Sequence, residues 1–329
     1  MKAIVQEGYG LPGRVLALRE IDTPEIDDRG VLVQVHASSV NALDWHITRG
    51  MPFLIRIGAG FRRPKPKDSV RGVDVSGRVA AVGKDVTRFK VGDEVFGASN
   101  GSFAEYATAT EEQLALKPGG ITHEQAASLN VAGLTALQGL RDKAKLQRGQ
   151  HLLINGAGGG VGTFAVQIAK WLGARVTAVT RTRSVELVRS LGADDVIDHE
   201  VEDFTRRGER YDVIFDIGGN QPLNDCRRVL SGTGALVTVG APAGRWIAPA
   251  TRLLAAAALA PFVRQRVVPF ISQSDSEGLA LLAELTAGRI ISPVIERTYE
   301  LSDAPAAIQH VGEGSARGKV VIKVRSAAA

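Results

Sequence analysis

Five glycines between residues 155 and 162 are the first candidates for chemistry in this chain. They stand in the run Asn155-Gly-Ala-Gly-Gly-Gly-Val-Gly162, between a strand-like segment, His151 to Asn155, and a helix-like one, Val161 to Leu172. Glycines at such a junction permit a tight bend and let the backbone approach a pyrophosphate closely. A second strand-like segment, Arg175 to Thr180, completes a βαβ pattern. The run therefore predicts a dinucleotide-binding turn rather than a surface loop without a ligand.

The residues that follow the second strand indicate which dinucleotide is bound. Sites that prefer NAD place an Asp or Glu at this strand end, where it hydrogen-bonds the ribose 2'-hydroxyl. We find no acid in the segment Thr180-Arg181-Thr182-Arg183-Ser184, which offers two guanidinium groups and three hydroxyls instead. These groups suit a phosphate dianion, so the expected cofactor is NADPH. The alternative is that both arginines are solvated residues at a helix entry.

Further cofactor contacts are expected where other strands end, because ligands of open α/β sheets gather at the carboxyl ends of the strands. One such end is Gly218-Gly219-Asn220, after the strand-like Val213 to Ile217, and another begins at Gly240. The predicted contacts in the glycine run and at these two ends are Ala157, Gly158, Gly159, Gly160, Val161, Gly162, Gly218, Gly219, Asn220, Gly240 and Ala241.

Length and composition favour an enzyme of two domains. The 329 residues are 44% hydrophobic, enough for one or two sizeable cores. The net charge of +5 is dispersed apart from Arg62 to Lys67 and the pair Arg181 and Arg183, so a nucleic-acid partner is not implied. We interpret Arg62 to Lys67 as a solvated, proline-stiffened loop, with contact to an anionic membrane as the minority interpretation.

The single cysteine, Cys226, excludes a disulfide within the chain, and no cysteine cluster or paired histidine spacing indicates a metal site. The first ten residues lack the apolar core of a signal peptide, so we expect a cytoplasmic protein. The most apolar stretch, Leu253 to Val263, is too short to span a bilayer, and no integral membrane segment is expected. We interpret this stretch as a buried helix or pocket wall, with a membrane-surface role as the remote alternative.

The order of the elements predicts the fold class, α/β with two domains. Short strands separated by Gly and Asp in residues 1–121 indicate a β-rich, barrel-like domain. Residues 122–287 then alternate strand and helix, which predicts a doubly wound parallel sheet. The tail, 288–329, returns to strand and is expected to complete the first domain. The predicted strands of the first domain are Ala3 to Gln6, Val31 to Val35, Gly77 to Val82, Glu94 to Gly97 and Ala104 to Ala107.

Several motifs in order resemble the medium-chain dehydrogenase/reductase superfamily, in its zinc-free quinone oxidoreductase and enone reductase branch. They are Ser39-Val-Asn41-Ala-Leu-Asp44, Gly72-Val-Asp74-Val-Ser-Gly77, Val91-Gly-Asp93-Glu-Val95, Gly133-Leu-Thr-Ala-Leu137 and Ala157-Gly-Gly-Gly-Val-Gly162. The resemblance runs nearly end to end. It implies a GroES-like β-barrel catalytic domain and a Rossmann domain, with cofactor and substrate in the cleft between them. One departure is Gly158, where related sequences often have Ser.

The resemblance also bears on zinc. Alcohol dehydrogenases of the superfamily hold catalytic zinc with a Cys and a His-Glu pair, at positions where this chain has Asn41, Val73 and Asp74. Val73 cannot ligate a metal, and an Asn is a poor zinc ligand. We therefore expect no metal and no reduction of simple ketones that depends on a Lewis acid. Quinones and enones avoid this difficulty, since the charge left by hydride addition is delocalised.

Residue roles follow from the resemblance. It implies Asn41 and Asp44 at the nicotinamide edge and Thr135 beneath it, with Asp44 orienting rather than acting as a base. His46 stands where relatives often carry Tyr; it either donates a proton to the product enolate or packs beside Trp45 while solvent supplies the proton. The resemblance further places Gly218 to Asn220 over the nicotinamide ribose and Gly240-Ala-Pro beside the amide.

Two further residues match family positions. His199 matches a Tyr that lines the adenosine phosphate pocket, although surface exposure is an equal alternative. Lys319 matches a lysine near the cleft, although a lysine in a terminal strand is usually solvated.

The expected function is NADPH-dependent, zinc-independent reduction of a small-molecule quinone or enone by a homodimer. Gly234 to Val239, with Pro242 and Trp246, is the expected dimer surface at the edge of the nucleotide-binding sheet. The alternatives are a metal-free alcohol or aldehyde dehydrogenase and a non-catalytic NADPH-binding sensor. In the sensor, Met51 to Lys67 and Gly244 to Val268 would contact a partner.

Overall fold

The computed structural model describes residues 1–53, 56–57, 60–65, 69–239, 250–260 and 263–325. The chain divides into two compact units, Met1–Leu134 with Ser274–Ala329, and Thr135–Gln273. These boundaries differ from those of the sequence pattern, 121/122 and 287/288. Two helices, His123–Ala127 and Ser276–Ala287, belong to the first unit because they pack on its strands.

The strands are Lys2–Gln6 (β1), Leu16–Glu20 (β2), Gly30–Val40 (β3), Asp74–Val82 (β4), Glu94–Ala98 (β5), Tyr106–Thr110 (β6), Leu114–Leu116 (β7), His151–Asn155 (β8), Arg175–Thr180 (β9), Asp195–Asp198 (β10), Tyr211–Asp216 (β11), Leu230–Thr238 (β12), Arg266–Pro269 (β13), Ile295–Glu300 (β14) and Lys319–Lys323 (β15). The α-helices are Pro12–Val15 (α1), Ala42–Arg49 (α2), His123–Ala127 (α3), Asn130–Leu137 (α4), Gly160–Trp171 (α5), Val185–Ser190 (α6), Leu223–Arg228 (α7), Ala250–Leu259 (α8), Ser276–Ala287 (α9) and Ala304–Gly312 (α10). A π-helical segment, Gln138–Ala144, continues α4.

The first unit is built around the long strand β3. Its sheet has the order β14-β15-β3-β4-β5-β7, with β6 also paired to β3. Val31, Val33 and Val35 alternate along β3 and are fully buried, as expected for a strand with one face on a core. The C-terminal strand β15 is antiparallel to β3, with Val321 opposite Ser39. The tail of the chain therefore lies directly beside the segment that leads into α2.

The second unit contains a six-stranded sheet of order β10-β9-β8-β11-β12-β13, in which all pairings are parallel. Numbered within the unit, this order is 3-2-1-4-5-6, which is that of a doubly wound dinucleotide-binding sheet. The predicted fold class, GroES-like plus Rossmann-like, is confirmed. The carboxyl ends of β8 and β11, where the order reverses, lie side by side.

Three local predictions are wrong. The strand predicted at Ala104 to Ala107 begins at Tyr106, since Ala104 instead forms an isolated bridge to Ala3. The buried helix predicted at Leu253 to Val263 is wrong for most of the side chains described in α8: Leu254 is 68% exposed and its neighbours are exposed apart from Ala256. The alternative, a pocket wall, stays a prediction. The segment Gly234 to Val239 lies in an interior strand, because β12 pairs with both β11 and β13. That segment is therefore not a sheet edge.

No helix among the described residues combines the length and the apolar character needed to cross a bilayer.

The helix that follows the glycine run packs directly on the turn before it. A Cβ atom on Gly162 would lie 2.2 Å from the carbonyl oxygen of Gly156 and 2.6 Å from backbone atoms of Ala157. A Cβ atom on Gly159 would meet only the Gly156 oxygen, at 3.7 Å, and Gly159 has an ordinary φ of −87°. The two glycines therefore serve different purposes, close packing at 162 and an open approach at 159.

We expect Gly162→Ala to lower the free energy of unfolding by about 1–3 kcal/mol, because the obstructing atoms are backbone and cannot move cheaply. Gly159→Ala is the matched control and should change stability by less than about 1 kcal/mol. Urea denaturation of both variants measures the difference. Equal stability of the two variants would contradict this account of the turn.

Candidate functional site

The glycine run forms the turn between β8 and α5. Gly156 has a φ of +97°, a conformation that glycine adopts without strain. Gly159 is the N-cap of α5. Ala157, Gly158 and Gly162 are buried, whereas Gly159, Gly160 and Val161 are partly exposed. The first N–H groups of a helix have no partners within the helix and carry partial positive charge. The three partly exposed residues thus form the part of the turn that can receive a phosphate group.

Two residues that the sequence analysis missed hold this turn to the neighbouring strand. Asn155 donates its side-chain amide to Asp216 at 2.7 Å and to Asn220 at 2.8 Å, and Asp216 accepts the N–H of Gly219 at 2.9 Å. The predicted contacts Gly218 and Asn220 are exposed at this point, while Gly219 is buried. An Asn and an Asp that each end an apolar strand are the signal that could have identified the pair.

The segment after β9 presents a different set of groups from the one expected. Thr180 and Ser184 are each only 4% exposed, whereas Arg181, Thr182 and Arg183 are exposed. A Cβ atom on Gly158 would lie 2.5 Å from the Thr180 hydroxyl and 2.8 Å from the Cβ of Ser184. Gly158 is therefore required by the packing of these two hydroxyl residues. Of the three hydroxyls offered by the sequence, only that of Thr182 is at the surface.

The expectation that this site lacks an acid has to be corrected. Although no acid lies in the segment itself, Asp198 and Glu200 reach it from the end of β10. The Thr182 hydroxyl lies 2.6 Å from a carboxylate oxygen of Asp198 and 2.5 Å from one of Glu200. This hydroxyl lowers the pKa of both carboxyls from their usual range. His199 lies between them and is exposed. Its backbone N–H donates to the carbonyl of Thr180.

The remaining predicted residues of the second unit are Thr135, Gly240 and Ala241. Thr135 is 4% exposed and donates its hydroxyl to that of Ser272 at 2.8 Å. Gly240 and Ala241 lie outside the described residues. Their expected contact with the cofactor amide stays a prediction.

A buried carboxylate, Asp74, organises the predicted catalytic residues of the first unit. It is fully buried on β4, and its oxygens accept hydrogen bonds from side chains and backbone on four neighbouring segments. The donors are the Ser39 hydroxyl at 2.5 Å, the Asn41 amide at 2.9 Å, the Asn130 amide at 3.0 Å, the Val131 N–H at 3.1 Å and the Lys319 ammonium at 3.3 Å. The motif containing Asp74 was noted in the sequence, but its central position was not predicted.

Lys319 is not solvated, because only 2% of the residue is exposed. Its ammonium group donates to the side-chain oxygen of Asn41 at 2.8 Å and lies near the Val40 carbonyl and Asp74. In this geometry Lys319 orients Asn41 through the amide oxygen, while Asp74 holds the amide nitrogen. The cofactor contact expected for Lys319 stays a prediction.

Asp44 lies one helical turn beyond Asn41 and closes the N-terminus of α2. Its carboxylate accepts the Asn41 N–H at 2.8 Å, in a capping box. Burial raises the pKa of Asp44 to about 6, an effect opposed by the Asn41 hydrogen bond and reinforced by the charge of Asp74. Asp44 thus acts on Asn41 as an acceptor.

His46 is half-buried on α2, and its neighbour Trp45 packs in the core formed by the C-terminal helix and strand. Burial lowers the pKa of His46 from its usual range. At neutral pH the imidazole is therefore neutral. A neutral imidazole at this position is a weaker proton source than an imidazolium.

The positions that would carry zinc ligands do not fit a zinc ion. Val73 has no ligating side-chain atom, and both oxygens of Asp74 are directed at the protein donors described above. Asn41 is held between Asp74 and Lys319, so a cationic ammonium group stands beside it. Within the described part of the chain, no three His, Cys, Asp or Glu side chains are grouped as metal ligands.

Comparison with known families agrees with this architecture. Residues 27–119 match the family described as alcohol dehydrogenase GroES-like domain, and residues 191–322 match zinc-binding dehydrogenase. A chloroplast envelope quinone oxidoreductase homolog of Arabidopsis thaliana is 30% identical, over 98% of each chain. The chain belongs to the medium-chain dehydrogenase/reductase superfamily. Within this superfamily it groups with the quinone oxidoreductases, and it is an oxidoreductase.

Other members of the superfamily are similar at comparable levels. A mitochondrial NAD(P)H oxidoreductase of Homo sapiens is 36% identical, over 89% of this chain and 81% of its own. A 2-methylene-furan-3-one reductase of Solanum lycopersicum is 31% identical, over 98% and 79%. The solved quinone oxidoreductase of Coxiella burnetii superposes with a TM-score of 0.88 at 32% identity, covering 99% of each chain. A mycobacterial protein solved with NADPH has a TM-score of 0.80 at 28% identity, covering 98% of this chain and all of its own.

The raised pKa of Asp44 predicts a pH-dependent stability. A carboxyl whose pKa is raised on folding stabilises the fold below its unfolded pKa, near 4, and loses that contribution as pH rises through about 6. We expect wild type to lose about 3 kcal/mol relative to Asp44→Asn between pH 4 and pH 7, since two pKa units correspond to about that energy. Urea unfolding of both proteins across this range measures it. If the difference in the free energy of unfolding between the two proteins did not change with pH, the burial of an ionisable Asp44 would be contradicted.

Proposed function

We propose that this oxidoreductase uses NADPH, without zinc, to reduce quinones or α,β-unsaturated carbonyl compounds by hydride transfer. The observation that carries the proposal is the closed network of Asn41, Asp74 and Lys319 at the position where zinc-dependent relatives hold their metal. Without a Lewis acid, hydride transfer to an isolated carbonyl has a higher barrier. Conjugated acceptors spread the resulting negative charge, so ordinary hydrogen-bond donors suffice.

The residues of the second unit fit a dinucleotide. The N–H groups of Gly160 and Val161 would hold the pyrophosphate at the start of α5. Arg181 and Arg183, both exposed at the end of β9, would hold the 2'-phosphate of NADPH. When bound, the cofactor supplies the hydride from nicotinamide C4. The mycobacterial structure solved with NADPH supports the choice of cofactor by similarity.

The residues of the first unit position the acceptor and exclude water. Asn41 is buried and held at both ends of its amide, which fixes the start of α2. The first turn of α2 has exposed residues, Ala42 and Leu43, whose N–H groups are the donors that a helix start leaves without intrahelical partners. Such donors, with the helix dipole, would stabilise a delocalised enolate or phenolate. Because His46 is neutral, solvent is the proposed proton source.

The substrate class is also supported by the names of relatives, which include quinone oxidoreductases and a 2-methylene-furan-3-one reductase. The proposed assembly is a homodimer, by analogy with the family. With β12 interior, β13 is the outer one of the described strands at that side of the sheet and is the proposed edge for pairing. A cytoplasmic location stays a prediction, since named relatives are chloroplastic or mitochondrial.

Rates on matched acceptors test the proposed chemistry. We expect quinones or enones to be reduced at least about a hundredfold faster than the corresponding saturated ketones, the amount associated with one strong oxyanion-stabilising contact. NADPH oxidation with a cyclic enone and its saturated analogue measures the ratio. Similar rates on both would favour the metal-free alcohol dehydrogenase alternative.

The role of the arginines is tested by Arg183→Ala. Loss of one charge-assisted hydrogen bond to the 2'-phosphate should lower kcat/KM for NADPH about tenfold to a hundredfold, while NADH, which lacks the phosphate, is nearly unaffected. Arg181→Ala should have the same effect to a lesser degree. Arg189→Ala, at an exposed arginine of α6 that pairs with Glu186, is the control. Equal losses with both cofactors would show that Arg183 is structural.

A further inference from the structure

Two acids, Asp198 and Glu200, face the segment that we assign to the 2'-phosphate, and we call them the acidic pair. The parallel register of β10 and β9 sets Asp198 opposite Thr180. The residues that follow each strand therefore lie next to each other at the same end of the sheet. This brings the acidic pair to Thr182, the residue between Arg181 and Arg183.

The two carboxylates converge on one hydroxyl. The Thr182 Oγ1 lies within 2.6 Å of oxygens from both acids, and the Thr182 N–H also donates to Glu200, at 3.3 Å. A threonine hydroxyl has a single proton, so it can donate to only one of them at a time. The Glu200 N–H donates to the other oxygen of Asp198 at 3.0 Å and fixes the turn between them. Hydrogen bonds of the turn thus hold the acidic pair in place.

The charges of this region nearly cancel. Arg181 and Arg183 contribute two positive charges, and the acidic pair contributes two negative ones, because carboxyls whose pKa lies below its usual range are ionised at neutral pH. A phosphate dianion at this segment would be attracted by the arginines and repelled by the acidic pair. The Thr182 hydroxyl, the only surface hydroxyl of the segment, is already engaged with the acids. The neutral ribose hydroxyl of NADH meets no such repulsion.

We propose that the acidic pair is a specificity determinant that limits the preference for NADPH and keeps NADH usable as a second cofactor. The inference rests on the proposed function, in which Arg181 and Arg183 receive the 2'-phosphate. The new element is that acids at the end of β10, rather than residues at the end of β9, set the ratio of the affinities for NADPH and NADH.

Neutral variants of the same shape test this role. In Glu200→Gln we expect NADPH to bind about threefold to tenfold more tightly, the size of a partly screened charge interaction at the surface, with NADH unchanged or weaker. Asp198→Asn should act in the same direction. Both cofactors are titrated by fluorescence in the absence of acceptor, and kcat/KM is measured with each.

Glu202→Gln is the matched control. It removes the same charge from the same turn, but Glu202 pairs with Arg207 at 2.9 Å instead of contacting Thr182. The gain for NADPH in Glu200→Gln should exceed that in the control and shrink as the salt concentration rises. A ratio of NADPH to NADH affinity that is the same in wild type, Glu200→Gln and Asp198→Asn would overturn the inference.

The proposed function fails in a different way. Suppose that the neutral variants bound NADPH no better than wild type, while wild type oxidised NADPH and Arg183→Ala lost this activity. Only the role of the acidic pair would then be refuted. If wild type neither bound nor oxidised NADPH, the assignment of the cofactor itself would fall.

Discussion

The buried carboxylate of Asp74 imposes the main constraint on the first unit. A fully buried charge is costly unless it is paired and hydrogen-bonded, and removing the partner of such a pair costs about 3–5 kcal/mol. The compensating groups come from β3, from the start of α2, from α4 and from β15. The segments α4 and β15 are distant in sequence from β3 and the adjoining start of α2, so the carboxylate gathers three separate parts of the chain at one place. The same hydrogen bonds orient Asn41, which links the stability of the unit to the geometry of its candidate catalytic edge.

The second unit relies on small residues where the first relies on charge. Gly162 lets α5 contact the backbone of the preceding turn, and Gly158 makes room for Thr180 and Ser184. The result is a turn whose exposed part consists mainly of backbone N–H groups. The exposed arginines and the acidic pair lie together at the carboxyl end of β9. The pyrophosphate is therefore assigned to the turn before α5, whereas the choice between a 2'-phosphate and a 2'-hydroxyl on the ribose is assigned to the charged side chains.

Local patterns in the sequence were enough to predict most of the fold. The glycine run, the strand at Arg175 to Thr180 and the alternation of strand and helix depend on neighbouring residues only, and they fixed the Rossmann-like class. Asp198 and Glu200 were missed because their contact with Thr182 arises from the parallel register of two strands. The partner of Lys319 was not predicted because Asn41 lies 278 residues away. The exposure of the described side chains of α8 was missed because apolar composition alone does not show whether the rest of the protein covers a helix.

The position of Lys319 has a consequence for how the protein is made. A ribosome that has finished the whole second unit, Thr135–Gln273, has still to synthesise the strand that carries this lysine. The second unit is continuous in sequence and can fold while the C-terminus is still being translated. The first unit, although most of its strands are made first, lacks the ammonium that neutralises Asp74 until Lys319 has been synthesised. The N-terminal unit is therefore the one whose nascent form stays exposed longest to chaperones and proteases.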